Sequence, residues 1–186
     1  MTFNILLSEK ATAKLLSFLS SDDELDNEGI SLQHPDLGEK TLALDTFKDF
    51  RAEGDLGIQI FAAGSLLGII LRIVSGQASR FGIYDFSSKG WLLQMDFPAQ
   101  EVIAGYFHPN MESFYLGSWI YRFNESSIYL MEKYCFYNGE EVRELEKVGI
   151  DEKALSEKDE PSIELATQQR LVFLHWGRRI HKFKDA

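Results

Sequence analysis

The chain has 186 residues, 45% of them hydrophobic and 26% charged, which is the usage of a folded protein and too apolar for a disordered chain or a collagen. Halving this length would leave two pieces short of buried surface, so one domain over residues 1–186 is expected. The 19 Lys and Arg against 29 Asp and Glu give a net charge of -10, which repels phosphate backbones and anionic lipid and argues against direct nucleic-acid or membrane binding.

Ser8 stands where a helix N-cap is needed, and Ala11, Leu15, Phe18 and Leu19 form one apolar stripe, so a helix is predicted over residues 9–20. Residues 21–40 mix acids with Gly29, Pro35 and Gly38 and read as a long surface loop. Ala43, Leu44, Phe47 and Phe50 suggest a short helix over Asp45–Glu53 that Gly54 stops, or else a strand from Thr41.

From Gly57 to Tyr137 apolar runs alternate with turn residues at Gly64-Ser65, Ser75-Gly76, Ser87 to Gly90, His108-Pro109-Asn110 and Asn124 to Ser126. That is the punctuation of successive hairpins. Within it, Trp91, Leu93, Met95 and Phe97 are expected on one face of a strand over Trp91–Phe97, with Leu92, Gln94 and Asp96 on the other. Ile69–Val74 and Ile128–Tyr137 are apolar on both faces, as in central strands covered on each side. Val142, Leu145 and Val148 predict a helix over Gly139–Val148 with Gly149 as its stop. Pro161 opens a second predicted helix to about Phe183, striped by Val172, Phe173, Trp176, Ile180 and Phe183, with Arg178, Arg179, Lys182 and Lys184 in its last turns. The expected fold is α+β: a mainly antiparallel sheet of six strands, with an N-terminal helix and C-terminal helices packed on it.

Chemistry is harder to find. No G-x-S-x-G elbow, S-x-x-K motif or glycine-rich phosphate loop occurs. Cys135, the one cysteine, sits between Tyr134 and Phe136, which favours a buried thiol over a nucleophile. With no disulfide possible and no basic, apolar leader at Met1–Leu7, a reducing, cytoplasmic setting is expected. His34 and His108 precede prolines, and His175 and His181 are six apart, so no metal-ligand spacing appears. Glu24, Asp26, Glu28, Gly29 and Ile30 imitate the start of a calcium loop, but Pro35 stands where the closing Glu belongs. No cofactor or metal is therefore expected. Asp85, Asp96, Glu101 and Glu112 are the carboxylates that an acid/base site could draw on, and solvated or ion-paired groups are the plainer reading.

The acids are unevenly placed: residues 1–60 hold 12 against 5 bases, 61–138 hold 6 against 5, 139–169 hold 10 against 4, and 170–186 hold 1 against 5. Such a pattern points to a stoichiometric protein-binding module of the immunity-protein or inhibitor kind, steered onto a basic partner such as a toxin. Asp22, Asp23, Glu24, Asp26 and Glu28 are its expected contact residues, with Glu140, Glu141, Glu144 and Glu146 as the next candidates. The alternative is a small enzyme or ligand carrier whose pocket against the sheet is lined by Tyr84, Trp91, Tyr106, Phe107 and Tyr121.

Overall fold

A computed structural model of the chain describes the backbone of residues 1–21, 28–109, 111–120, 128–137, 141–151, 161–166, 171–176 and 179–184, and side chains as far as Ser118 together with Tyr134. After a short strand β1 (Phe3–Ile5), helix α1 (Glu9–Ser20) runs over the predicted span. Its cap is Ser8, whose Oγ accepts a hydrogen bond from Ala11 N at 3.2 Å and satisfies a first-turn donor that has no partner in the helix. The stripe of Ala11, Leu15, Phe18 and Leu19 is the buried face.

The expected loop over 21–40 is corrected over its second half. Gly29–His34 forms β2 and Gly38–Ala43 forms β3, an antiparallel hairpin that pairs Gly29 with Ala43 and His34 with Gly38. Its physical basis is the alternation of buried Ile30, Leu32 and His34 with exposed Ser31 and Gln33. The predicted short helix is a 3-10 helix over Leu44–Phe50. With three residues per turn, Leu44, Phe47 and Phe50 eclipse one another, and all three are buried.

Four longer strands follow: β4 (Leu56–Ala63), β5 (Leu66–Ile73), β6 (Ala78–Asp85) and β7 (Gly90–Phe97). With β1 they make a five-stranded antiparallel sheet in the order β1-β4-β5-β6-β7. The two-residue turn between Ala63 and Leu66 requires a positive φ at its first residue, and Gly64 supplies +59°. A second antiparallel sheet, ordered β11-β10-β9-β8, contains β8 (Gln100–Phe107), β9 (Ser113–Ile120), β10 (Ile128–Tyr137) and β11 (Glu141–Asp151).

The predicted C-terminal helices are corrected to strands. In place of the helix over 139–148 stands β11, and in place of the helix over 161–183 stand β12 (Pro161–Ala166), β13 (Leu171–Trp176) and β14 (Arg179–Lys184) in a three-stranded antiparallel sheet. The register pairs Tyr134 with Glu144 and Lys133 with Glu146, so Leu145 is an extra residue in β11. One inserted residue breaks the two-residue period of a strand and imitates the three-residue spacing of Val142, Leu145 and Val148. Apolar runs as short as Leu171–Trp176 satisfy helix and strand templates alike, which misled the reading of the last segment. The described residues therefore hold fourteen strands where six were expected, and the architecture is a mostly antiparallel α+β fold. Among the described residues no helix is long and apolar enough to cross a membrane.

The five-stranded sheet is covered on both faces. Ile60, Ala62, Leu67, Ile69, Leu71 and Tyr84 meet Leu15, Phe18 and Leu19 of α1, Ile30 and Leu32 of β2, and Phe47 and Phe50 of the 3-10 helix. On the other face Phe61, Ile70, Phe81, Ile83 and Phe97 meet Val102, Phe107, Phe114, Leu116 and Tyr134 of the second sheet. Trp91 departs from expectation here. It belongs to the first cluster, while Leu93 and Met95 pack on the second. The cause is a β-bulge: Tyr84 pairs with Trp91 and Ile83 with Leu93, so Leu92 is extra and the strand changes face.

Candidate functional site

Helix α1 ends at Ser20 with no cation in its last turn, although the dipole favours one there. Acids follow instead. Leu19 O accepts a hydrogen bond from Ala52 N at 3.0 Å, just beyond the C-terminal end of the 3-10 helix. The chain reappears at Glu28, whose carbonyl accepts from Leu44 N at 2.8 Å, at the N-terminal end of the same helix. Both ends of the acidic segment are thus tied to opposite ends of one short helix. Of the five predicted contact residues, Asp22, Asp23, Glu24 and Asp26 lie outside the described residues. Glu28 is exposed and pairs with Lys14 at 2.7 Å, while the same Lys14 Nζ donates to Gly29 O at 3.1 Å.

The 3-10 helix turns Leu44, Phe47 and Phe50 inward and leaves Asp45, Lys48 and Asp49 exposed; Glu53 and Asp55 follow, also exposed. Two nearby arginines are occupied against the protein. The Arg51 guanidinium lies 4.4 Å from the centre of the Phe18 ring. Arg80 Nη1 donates to Asp49 O and Arg51 O, and its Nε pairs with Asp96 at 3.2 Å. Exposed Asp45, Asp49 and Glu53 thus stand on or beside the helix at whose two ends Leu44 and Ala52 hold Glu28 and Leu19, and Asp55 follows two residues on, where its carbonyl accepts from Val74 N. Sequence reasoning missed these four. The three-residue spacing of Leu44, Phe47 and Phe50 was a signal that could have turned Asp45 and Asp49 outward, but nothing in the sequence marks which backbone amides meet Leu19 O and Glu28 O.

The second acidic group is divided: Glu140 lies outside the described residues, and Glu141, Glu144 and Glu146 stand on β11. Cys135 stands on β10, where its backbone pairs with Ser113 and Arg143.

Three of the aromatic residues of the alternative reading are divided between the two faces of the five-stranded sheet. Tyr84 and Trp91 pack on the helix-covered face, where Trp91 Nε1 donates to Thr46 O at 2.9 Å. Phe107 is buried between the sheets, 4.9 Å from Phe61 between ring centres. Tyr121 lies outside the described residues. The candidate carboxylates are also dispersed in function. Asp85 accepts from Ser87 N and Ser88 N, each at 3.0 Å; burial pushes its carboxyl up, and hydrogen bonds from Ser65, Ser87 and Ser88 outweigh that and hold it below its ordinary value. Asp96 pairs with Arg80, Glu101 faces Arg72 at 3.8 Å, and Glu112 is exposed.

Of the residues that imitate the start of a calcium loop, Glu24 and Asp26 lie outside the described residues, and Gly29 and Ile30 are extended in β2, with Ile30 buried. Among the described residues no group of three or more His, Cys, Asp or Glu could hold a metal. His34 is a buried structural group and His108 lies beside Tyr115, with ring centres 6.4 Å apart. No family model, no curated protein and no solved structure matches this chain.

Proposed function

We propose that this chain is an acidic, stoichiometric protein-binding module of the immunity-protein or inhibitor kind, which covers the basic surface of a partner such as a toxin. The supporting observation is that exposed Asp45, Asp49 and Glu53 lie on and just after the 3-10 helix whose two ends hold Leu19 and Glu28, the described residues that bracket the acidic stretch of the sequence. Like charges gathered next to a helix C-terminus oppose folding, and their gain comes when a cationic surface meets them. Their field accelerates encounter with a positively charged cleft, and the apolar packing beneath them keeps the surface rigid enough to fill it. Tyr84 and Trp91 pack on the helix-covered face of the sheet and Phe107 on the other, which supports the binding reading over a single aromatic-lined pocket.

The test is the association rate with a basic protein, first of all the product of an adjacent gene, measured at two ionic strengths. Replacing Asp22, Asp23, Glu24, Asp26 and Glu28 by Asn or Gln is expected to slow association and flatten its salt dependence. A second variant, Asp45→Asn with Asp49→Asn and Glu53→Gln, is expected to do the same to a smaller degree. Rates that both variants leave unchanged would remove this flank as the contact surface.

A further inference from the structure

His34 is 2% exposed, yet it keeps all its polar contacts. Its Nδ1 accepts two backbone hydrogen bonds, from Asp36 N and Leu37 N, each at 3.2 Å. A nitrogen that accepts two donors carries no proton, so the proton of the neutral ring is on Nε2, which donates to Leu66 O at 3.4 Å. The ring therefore joins the turn of the β2–β3 hairpin to the start of β5. It does the work of the Asn or Asp side chain of an Asx-turn, in which a side-chain acceptor holds the amides two and three residues on. Unlike an amide oxygen, Nδ1 can be protonated near neutral pH.

We propose that His34 is an acid-sensitive latch on the β2–β3 hairpin, closed while Nδ1 is bare and released when Nδ1 takes up a proton. Protonation would turn Nδ1 into a donor aimed at two amide donors, and all three groups would lose their partners at once. The surroundings offer little compensation. On the hairpin itself the charged groups facing the ring are Asp36 and Lys40, of opposite sign. The Asp36 carboxylate already accepts from Gly64 N at 2.8 Å in the β4–β5 turn. From the turn just after β6 the ring meets Phe86 edge-on at 5.4 Å, and Phe86 in turn packs on Tyr84. The neighbouring Asp85 is engaged by Ser65, Ser87 and Ser88. Burial accordingly pulls His34 below its ordinary value of 6.5, against the opposing effects of the Leu66 bond and Asp36 and with a further lowering by Lys40. The sign follows: in this window the open hairpin binds more protons than the closed one, so closure is firm above 6.5 and weakens as pH falls toward the native value.

Hydrogen exchange of the Asp36 and Leu37 amides in the full chain, corrected for the intrinsic pH dependence of exchange, tests this. Protection is expected to fall about tenfold per pH unit within that window. The fall should begin at 6.5 and end where the His34 ring titrates in the native chain, a point located by its nitrogen chemical shifts, which also report the Nε2–H tautomer above the window. His34→Asn places a non-titrating oxygen near the Nδ1 position and is expected to make protection independent of pH. Asp36→Asn is expected to preserve the dependence. A ring that titrates while both amides stay protected would overturn the latch, and so would a pH dependence that persists in His34→Asn or vanishes in Asp36→Asn. If His34→Asn does not fold, the wild-type chain decides alone: amide protection that stays flat from 6.5 down to the pH of the ring titration would overturn the latch.

Discussion

The two faces of the five-stranded sheet are built from alternate residues of the same strands, yet they solve different problems. The helix-covered face is mainly aliphatic in the sheet, with Ile60, Ala62, Leu67, Ile69 and Leu71 under short helical elements whose outer surfaces carry acids. The face toward the second sheet is a run of rings: Phe107, Phe61, Phe81, Phe114 and Tyr134, neighbours at 4.9, 6.1, 5.2 and 5.1 Å between centres. Space for Phe61 comes from Gly68 on β5 and Gly105 on β8, where any Cβ would collide with its ring. Packing on the ring face leaves little freedom. On the helical face only every third residue of the 3-10 helix is needed for packing, so the remainder are free to carry charge. One face serves as scaffold, and the cover of the other can change its surface without changing the core.

The largest expected effect lies on the ring face. Phe61→Ala should destabilise the fold by about 3–5 kcal/mol in urea unfolding, because it empties space that two glycines were selected to leave. On the helical face Leu15→Ala should cost about 2–5 kcal/mol. These residues belong to separate clusters, and the double variant should lose the sum to within about 0.5 kcal/mol. A larger coupling would show that the two cores share strain through β4. Ser8→Ala should remove about 1 kcal/mol, as the loss of a cap does, and lower the thermal midpoint.

Smaller still is the acid-limb effect of Asp85. Its carboxyl is held low, so its contribution is complete above the ordinary carboxylate range and is lost as pH falls through the native value. In Asp85→Ala that part of the pH dependence should vanish, with unfolding curves between pH 5 and 3 as the measurement. Least of all, Asp49→Asn with Glu53→Gln should move stability by no more than about 0.5 kcal/mol, since both side chains are exposed. A loss as large as that of Leu15→Ala would mean that the acidic surface is structural after all.

Legibility in the sequence followed this same division. Helix α1 could be read completely, because Ser8, Ala11, Leu15, Phe18 and Leu19 are local signals that agree with one another. The hairpins at Gly64-Ser65 and Ser87 to Gly90 could also be read, since turn residues act through their own backbone. The β2–β3 hairpin was lost because charges and turn residues at 21–40 outweighed a short alternation through Ile30, Leu32 and His34. Trp91 and Leu145 were misassigned for a shared reason: one extra residue in a strand reverses every face beyond it, and only pairing with a neighbour reveals the extra residue. The acidic flank was half legible. Composition marked the segment from Asp22 to Glu28, whereas the link to Asp45, Asp49 and Glu53 runs through backbone atoms that every residue possesses.

Thr2 gives the molecule a definite order of assembly. Its Oγ1 donates to Phe107 O and accepts from Phe107 N, both at 2.9 Å, across 105 residues of chain. At about 5–20 residues per second, a translating ribosome makes Phe107 some 5–20 s after Thr2. Strand β1 finds β4 sooner, yet the fastening of Thr2 to the second sheet waits until β8 exists. Thr2 is therefore secured well after the strand that follows it has paired, and a nascent chain arrested before Phe107 would hold β1 by its pairing with β4 alone.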